Sequence, residues 1–378
     1  MADHEITIEE LARLDADDVV LVDLRDAASY EYGHIPGSVN VSKEEVAEKI
    51  TTKDKTVCLY CRNGVVSLPL AEDLHAAGVR AVSLKGGYFA WLRAHIGEVD
   101  AQKSVRSVEE SITKKFHRDL FSPFVRAINE YGLLQPNDKV AVCISGGKDS
   151  MLMAKLFQQL HRYTKFPFEL VFLVMDPGYS PKNREVIERN AQILGIPITV
   201  FDSDIFESVF AIEKSPCYIC ARMRRGHLYS KAKALGCNKI ALGHHYDDVI
   251  ETTLMSMLYG AQMQTMMPKV KSTNFENMQL IRPMYLIREV DIKRWRDYNN
   301  LRFIQCACKF TDYCTAEGCK TSNTGSKRKQ VKELIAMLAK QDPQVEQNIF
   351  RSAENVNLST VIAYKDKDGV KHRFDNEW

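Results

Sequence analysis

Cysteines and a glycine-rich loop are the parts of this sequence best suited to chemistry. The 378 residues include ten cysteines. Most of them lie in tight clusters: Cys58 with Cys61, Cys217 with Cys220, and Cys306, Cys308, Cys314 with Cys319. The N-terminal stretch MADHEITIEE is acidic and lacks the apolar segment of a secretory signal, so we expect a cytoplasmic protein in which disulfides are rare. Close cysteine spacing in such a protein indicates metal binding or sulfur chemistry.

The glycine-rich loop Ser145–Ser150, with the sequence SGGKDS, follows the apolar stretch KVAVCI and precedes a segment with helical spacing. Two glycines let the backbone approach phosphate oxygens closely, and the amides at a helix start attract anions. Lys148 adds a positive charge. The loop does not have the spacing of a Walker A motif. These features predict a phosphate-binding site of another kind.

Carboxylates follow two other predicted strands. Asp176 ends the strand FELVFLVMD, at the edge where ligands bind in parallel sheets, and both nucleotide contact and helix capping are open to it. Gly243 begins the stretch GHHYDD, which contains Asp247 and Asp248. Paired carboxylates beside a polyphosphate suit Mg²⁺, whereas N-capping of the following helix is the alternative.

Cys217, Cys220 and Cys306 form the cysteine set that best suits a metal centre. A structural zinc site would require a fourth protein ligand, for which Cys308 is available. A 4Fe–4S cluster held by only three thiolates would leave one iron open to hold sulfide. Thiols without a metal are the third interpretation.

Cys61 begins the loop CRNGVVS (61–67), between a predicted strand and a predicted helix. Backbone amides that converge on the sulfur at a helix N-terminus favour a thiolate or persulfide anion. An ordinary strand–helix turn is the alternative. Cys58, Cys143 and Cys237 lie in apolar contexts and are expected in the core.

Short apolar strands alternate with helical segments along the chain, which predicts an α/β protein. The N-terminal strands are VVLVDL (19–24), KTVCLYC (55–61) and VRAVSL (79–84). From residue 139 onward, the strands KVAVCI, FELVFLVMD, PITVF and KIALG alternate with helices. This second series predicts a doubly wound parallel sheet. The polar stretch 97–110 has the composition of a linker.

Charge is divided unevenly along the chain. Residues 1–100 hold 10 Lys and Arg against 18 Asp and Glu, a net charge of −8, whereas the remainder holds 41 against 31, a net charge of +10. The basic part suits a polyanion such as nucleic acid, and a chance distribution is the alternative. The sequence has no run of 18 apolar residues, so we expect no membrane-spanning helix.

Several motifs surround Cys61. They are DLR (23–25), YEYGHIPGS (30–38), Gly86-Gly87 and Trp91. Together they resemble the single-domain rhodanese family over residues 5–96, and this resemblance implies that Cys61 carries a persulfide. Val66 stands where many rhodaneses have arginine, which argues against efficient use of thiosulfate.

The SGGKDS loop resembles the PP-loop of ATP pyrophosphatases, which cleave ATP between the α- and β-phosphates and adenylate a substrate. The stretch from SPCYIC to TMMPK (215–269), followed by IRPM (281–284), resembles the tRNA 2-thiocytidine synthetase family. The match covers residues 110–340. Gln305 and Cys308 depart from that family, which usually has proline before its third cysteine and another cysteine three residues later.

The resemblance implies ATP-dependent formation of 2-thiocytidine at position 32 of tRNA, with a 4Fe–4S cluster held by Cys217, Cys220 and Cys306 and with sulfur relayed from the rhodanese persulfide. Cys61, Lys148 and Asp149 are the candidate catalytic residues. Nucleotide binding is expected at Ser145, Gly146, Gly147, Lys148, Asp149, Ser150, Asp176 and Gly243, magnesium at Asp247 and Asp248, and tRNA phosphates at Arg222, Arg224, Arg225, Lys269 and Lys271.

The expected organisation is a rhodanese-like domain (1–98), a linker (99–110), a PP-loop tRNA-thiolation domain (111–345) and a C-terminal extension (346–378). Its expected partners are tRNA, ATP and a sulfur donor such as a cysteine desulfurase or thiosulfate, with no membrane and with a homodimer left open. The alternatives are 2-thiouridine formation, a zinc-stabilised PP-loop ligase with a regulatory rhodanese domain, and a non-catalytic sulfur carrier. The intact SGGKDS and GHHYDD motifs argue against the last of these.

Overall fold

The chain forms two compact units in the computed structural model. The described residues are 4–50, 52, 54–100, 105–179, 181–203, 205, 216–304, 327–366 and 369–373. The first unit comprises Met1–His245 and Pro268–Ser322, and the second comprises Tyr246–Met267 and Asn323–Trp378. Within the described part of the chain, no helix is both long and apolar enough to cross a bilayer.

A five-stranded parallel sheet organises the first hundred residues. Its strands are β1 (Glu5–Ile6), β2 (Val19–Asp23), β3 (Val39–Asn40), β4 (Thr56–Tyr60) and β5 (Ala81–Leu84), in the spatial order β1-β5-β4-β2-β3. Its helices are α1 (Ile8–Leu11), α2 (Ala27–Tyr32), α3 (Val46–Lys49), α4 (Ser67–Ala76) and α5 (Gly87–Asp100). Alternate residues of β4 belong to two different hydrophobic clusters. Val57 and Leu59 pack in one cluster, and Cys58 and Tyr60 pack in the other. The central strand is therefore buried on both faces, as its apolar sequence predicts.

A continuous helical stretch leads from this sheet to the next. It consists of α6 (Val105–Glu110), two π-helical segments (Ser111–Lys115 and His117–Phe121) and α7 (Ser122–Glu130). Buried apolar residues recur every fourth position in it: Val108, Ile112, Phe116, Leu120, Phe124 and Ile128. A repeat of four exceeds the 3.6 residues of an α-helical turn, so the wider π-helical turns keep this row on one face.

Residues 105–110, whose polar composition predicts a linker, form helix α6. Val108 is buried in the core, and Glu109 accepts hydrogen bonds from buried Lys155 (2.8 Å) and from Arg162. The polar composition of this segment therefore reflects ion pairing. Residues 101–104 lie outside the described residues.

A six-stranded sheet follows, and it confirms the predicted α/β class. Its strands are β6 (Lys139–Ile144), β7 (Glu169–Asp176), β8 (Ile198–Asp202), β9 (Lys239–Ala241), β10 (Lys269–Lys271) and β11 (Gln279–Ile281), in the order β10-β11-β9-β6-β7-β8. Its helices are α8 (Lys148–Tyr163), α9 (Pro181–Ile193), α10 (Pro216–Ala234) and α12 (Glu289–Tyr298). Only β10 runs antiparallel to its neighbour. The strand order reverses between β6 and β9, which creates a switch point at their carboxyl ends.

The second unit is built around α11 (Tyr246–Gly260), α13 (Lys327–Gln341), α14 (Val345–Ser352) and a hairpin of β12 (Ala363–Lys365) and β13 (Lys371–Arg373). The Tyr246 ring stacks on the Phe350 ring with centroids 4.3 Å apart. Arg328 pairs with Asp248 at 2.8 Å. These contacts join the two chain segments that make up the unit.

Candidate functional site

The SGGKDS loop connects β6 to α8 at the switch point of the six-stranded sheet. Gly146 has φ +86°, in the left-handed region, and a Cβ built there would lie 2.5 Å from Cγ1 of Ile187. Both facts restrict this position to glycine. Gly147 is the extended N-cap of α8. The tight turn brings the loop backbone to the helix N-terminus, where backbone amides have no partner within the helix.

Two serines of the loop hold its shape. The Ser150 hydroxyl accepts a hydrogen bond from the Ser145 amide (3.1 Å) and donates one to the Gly147 carbonyl (3.0 Å). The Ser145 hydroxyl lies 3.2 Å from the Ser150 hydroxyl. These bonds close the loop on itself, so the serines fix the positions of the backbone amides.

Lys148 is buried between two carboxylates. Its Nζ lies 3.0 Å from Asp149 Oδ1 and 3.2 Å from Glu289 Oε1. Burial alone would lower the pKa of Lys148, but the charges of Asp149 and Glu289 outweigh it and raise this pKa above its ordinary value. The ammonium group therefore stays charged at neutral pH and can balance phosphate charge.

Gly243 and Asp176 lie at the carboxyl ends of two other strands of the six-stranded sheet, and they have different contacts. A Cβ on Gly243 would lie 3.2 Å from the Ser150 amide nitrogen, so the chain after β9 passes close against the start of α8. Asp176 Oδ1 accepts hydrogen bonds from the amides of Gly178 (2.8 Å) and Tyr179 (2.6 Å). Asp176 therefore caps the turn after β7 in this structure.

The Cys61 loop forms a cradle around a buried sulfur. The Gly64 amide donates to Cys61 Sγ at 3.2 Å, and the Ser67 hydroxyl lies 3.5 Å from the same sulfur. Ser67 is itself held by Ser83, with the two hydroxyl oxygens 2.8 Å apart. Cys61 is only 5% exposed. Donors converge on the sulfur at the N-terminus of α4, which suits an anionic sulfur species.

Two domain families match the chain. The rhodanese-like domain matches residues 7–94, and the PP-loop domain matches residues 113–309, which is more than half of the chain. The chain belongs to the PP-loop family. The SGGKDS loop lies within the PP-loop match, and the Cys61 cradle lies within the rhodanese-like match.

Curated relatives of the PP-loop module are tRNA-modifying enzymes by name. The tRNA-cytidine(32) 2-sulfurtransferase of Neisseria meningitidis is 34% identical over 206 residues, which cover 54% of this chain and 64% of that protein. The enzyme of the same name from Janthinobacterium sp. is 32% identical over 274 residues, covering 71% and 81%. The chain thus spans less than two thirds of the Neisseria protein.

Among solved structures, the U34-tRNA thiolase NcsA from Methanococcus maripaludis with its 4Fe–4S cluster resembles the chain. It has 22% identity and a TM-score of 0.48, and the match covers 62% of this chain and 76% of that one.

The rhodanese-like domain contacts the PP-loop through Tyr32, at the end of α2. The Tyr32 hydroxyl accepts a hydrogen bond from the Lys148 amide and donates one to the Ile304 carbonyl, both at 3.1 Å. Arg296 donates to the Tyr32 carbonyl. Burial raises the pKa of Tyr32, so the hydroxyl keeps its proton. A cavity beside this contact is lined by residues of both modules, including Arg62, Phe89 and Ile304.

The structure places the predicted metal ligands only in part. Asp247 and Asp248 lie in the first turn of α11, in the second unit, and Asp248 pairs with Arg328. Cys217 and Cys220 occupy positions one turn apart on α10, and their side chains are not among those described. Cys306, Cys308, Cys314 and Cys319 lie outside the described residues. Within the described part of the chain, no three His, Cys, Asp or Glu side chains are grouped to hold a metal ion.

The basic candidates for tRNA contact differ in their surroundings. Arg224 donates to the Tyr179 hydroxyl (3.2 Å), and Lys269 donates to the Gly132 carbonyl (2.9 Å). Arg225 and Lys271 are exposed. Arg222 belongs to α10, but its side chain is not described.

Two residues of the site carry no distinctive signal in the sequence. Glu289 pairs with Lys148 from a distant helix, and its only signal is its place in the acidic first turn of α12. Tyr32 lies inside the rhodanese motif YEYGHIPGS, and nothing in that motif indicates its contact with Lys148. The predicted core cysteines Cys58, Cys143 and Cys237 are all buried.

Proposed function

We propose that the chain is an ATP-dependent tRNA sulfurtransferase that forms 2-thiocytidine, at position 32. The observation that carries the proposal is the glycine-restricted loop with Lys148 at a helix N-terminus, in a chain similar to tRNA-cytidine(32) 2-sulfurtransferases. In the reaction, the C2 carbonyl oxygen of the base attacks the α-phosphorus of ATP, and pyrophosphate leaves. Sulfide then attacks C2, and AMP leaves with the original oxygen.

The PP-loop supplies electrostatic stabilisation to the first step. Backbone amides of the loop at the start of α8 bind phosphate oxygens, and Lys148 offsets the charge that develops on pyrophosphate. The Ser150 hydrogen bonds hold these amides in place before nucleotide arrives. Gly243 leaves room for the chain after β9 to pass close to the loop, and Asp176 shapes the neighbouring turn.

Magnesium is the cation that a polyphosphate requires, and carboxylate oxygens are its usual protein ligands. Asp247 and Asp248 fit this chemistry, and both directly follow the GHHY stretch after β9. Asp248, which pairs with Arg328 in this structure, would have to release that arginine to hold the cation. The metal would neutralise charge on the phosphates.

An iron–sulfur cluster is the proposed sulfur-handling group. Cys217, Cys220 and Cys306 would hold it, because thiolates are the ligands of such clusters and the first two stand one turn apart on α10. A cluster with three protein ligands supplies an open iron that can bind sulfide. The chain would provide the thiolates, two of them on the basic helix α10.

The rhodanese-like domain is the proposed source of sulfur. The Cys61 thiolate attacks the terminal sulfur of a donor persulfide and expels the donor thiolate, and the cradle of Gly64 and Ser67 stabilises the product. Release of sulfide from Cys61 then takes two electrons from a thiol reductant. Tyr32 bonds to Ile304, two residues before Cys306, and Arg62 and Ile304 line one cavity. This arrangement supports transfer within one chain.

Binding of tRNA is proposed for the basic residues Arg222, Arg224, Arg225, Lys269 and Lys271. Phosphate contacts of this kind make affinity fall steeply with salt. Arg225 and Lys271 are exposed and therefore accessible to a phosphate backbone.

The test is nucleoside mass spectrometry of tRNA from cells that lack the protein and from cells complemented with wild type or Lys148→Ala. We expect 2-thiocytidine only with wild type, since loss of the loop cation should reduce the rate by roughly 100-fold or more. An exposed-lysine variant, Lys114→Ala, is the matched control and should restore the nucleoside. Detection of 2-thiouridine instead would change the assigned base, and unchanged tRNA in the deletion strain would reject thiolation.

A further inference from the structure

The hydroxyl of Tyr32 accepts a hydrogen bond from a backbone amide of the nucleotide loop. Lys148 is the first residue of α8, and its amide is one of those that a helix leaves without an internal partner. In this structure that amide donates to Tyr32 Oη at 3.1 Å. A Cβ on Gly147 would lie 3.5 Å from the same oxygen, which shows how closely the tyrosine covers the loop. A neutral hydroxyl thus stands where a helix start attracts an anion.

The amide of Lys148 has a single proton to donate. A phosphate oxygen that accepts a near-linear hydrogen bond from this amide must take the position held by Tyr32 Oη, because near-linear geometry leaves room for one acceptor. The Tyr32 ring also lies near the Lys148 ammonium, with Nζ 5.3 Å from its centroid. Both the amide and the ammonium group of Lys148 therefore lie against Tyr32. These are the same two groups that are expected to bind phosphate.

The contact reaches beyond the loop. The same hydroxyl donates to the Ile304 carbonyl, and Arg296 holds the Tyr32 carbonyl. Arg302, two residues before Ile304, lies over the Trp91 ring at 4.4 Å. One tyrosine thus connects the rhodanese-like domain, the PP-loop and the segment that leads to Cys306.

We propose that Tyr32 is an autoinhibitory residue that competes with nucleotide for the Lys148 amide. The rhodanese-like domain contacts the loop through this hydroxyl, and nucleotide phosphate displaces it. Displacement also frees the Ile304 carbonyl, so nucleotide occupancy is coupled to the segment before Cys306. This inference rests on the proposed nucleotide site and is independent of the proposed tRNA substrate.

The test measures the dissociation constant of a non-hydrolysable ATP analogue for the full chain by calorimetry. Tyr32→Phe keeps the ring and removes the hydroxyl, and it should bind the analogue about fivefold more tightly, the effect of one net hydrogen bond. Tyr30→Phe is the matched control, because the Tyr30 hydroxyl, on the same helix, donates to the Ser38 carbonyl within the rhodanese-like domain. It should bind as wild type does.

Hydrogen exchange gives a second readout in the wild-type chain. Saturating analogue should speed amide exchange in Ala27–Tyr32, and Tyr32→Phe should show this faster exchange without nucleotide. Equal or weaker binding by Tyr32→Phe would overturn the competition, as would exchange in α2 that does not respond to the analogue. Failure of all three proteins to bind would overturn the nucleotide site itself, and this inference with it.

Discussion

The carboxylate of Glu289 lies 3.2 Å from the ammonium nitrogen of Lys148, although 141 positions separate the two residues in the chain. Glu289 stands in the first turn of α12 and also lies 3.6 Å from Lys293. Its charge, together with that of Asp149, raises the pKa of the buried Lys148 against the opposing effect of burial. The loop cation is therefore already paired before any nucleotide binds.

Glu289→Gln should strengthen nucleotide binding by roughly fivefold, because it removes a carboxylate that competes with phosphate for Lys148. The pKa of Lys148 should fall towards its ordinary value. Calorimetry with an ATP analogue checks the affinity, and Glu188→Gln, on α9 and paired with Arg184, is the control. Weaker binding would show that Glu289 acts with the nucleotide, for example through a cation.

Cys61→Ser should abolish turnover with a persulfide-generating donor and keep turnover with free sulfide, because the cradle only loads and holds sulfur. The assay is 2-thionucleoside formed per enzyme with each sulfur source, without oxygen. Cys58→Ser is an unsuitable control, because Cys58 is in the core and burial raises its thiol pKa to about 12. Val65→Ala, an exposed position in the same loop, serves instead. Full activity of Cys61→Ser with the donor would contradict the relay.

Cys217→Ala, Cys220→Ala and Cys306→Ala should each lose iron, since a site with three thiolates has no spare ligand. Cys314→Ala and Cys319→Ala should retain it. Iron analysis and visible absorbance of protein purified without oxygen check this. Equal loss in all five variants would place the downstream cysteines in the same site, and zinc in place of iron would favour a structural centre.

Glu109→Ala should lower the free energy of unfolding by roughly 3 kcal/mol, because it removes the carboxylate partner of the buried Lys155 ammonium. Lys155 then keeps only the neutral acceptors on Gln158 and Leu194. Glu110→Ala is the matched control: its pairs with Arg106 and Lys114 are on the surface and screened by solvent, so the loss of stability should be much smaller. Urea denaturation measures both. Equal effects would show that residues 105–110 are not packed against α8.

The same pair has a pH dependence. Burial acts to raise the pKa of Glu109, but hydrogen bonds from Arg162 and Lys155 outweigh it, so the pKa is lowered. A lowered carboxyl pKa contributes stability above the unfolded-state value and loses it as pH falls through the folded-state value. Glu109→Gln should therefore flatten the acid limb of the stability profile. An unchanged acid limb would contradict the pairing.

Local sequence patterns predicted most elements of the fold. The apolar run KVAVCI coincides with β6 (Lys139–Ile144), and the strand ending at Asp176 coincides closely with β7. Such runs are reliable because a strand buried on both faces must be apolar throughout. The exposed strand β10 (Lys269–Lys271) was missed, because its three residues form no apolar run and depend on pairing with β11.

The candidate site was predictable where its chemistry is local. The SGGKDS loop and the Cys61 cradle consist of consecutive residues whose amides and side chains act together. Tyr32 and Glu289 reach Lys148 from 116 and 141 positions away, and nothing in their neighbouring residues indicates that contact. Tertiary packing alone brings them there. The π-helical turns after α6 were not predicted either, because an apolar repeat of four residues indicates a helix but does not distinguish π-helical from α-helical turns.

The second unit also constrains the order in which the chain can fold during synthesis. Helix α11 is synthesised before the residues that it contacts. Asp248 pairs with Arg328, 80 residues later in the chain, and the Tyr246 hydroxyl donates to the carbonyl of Glu346, 100 residues later. Tyr259 on the same helix also gains its partners late, because its hydroxyl donates to Gln330 and Lys327 lies over its ring. A ribosome that stalls before residue 327 therefore holds helix α11 without these partners. Fragments that end there should be the ones that recruit chaperones or aggregate.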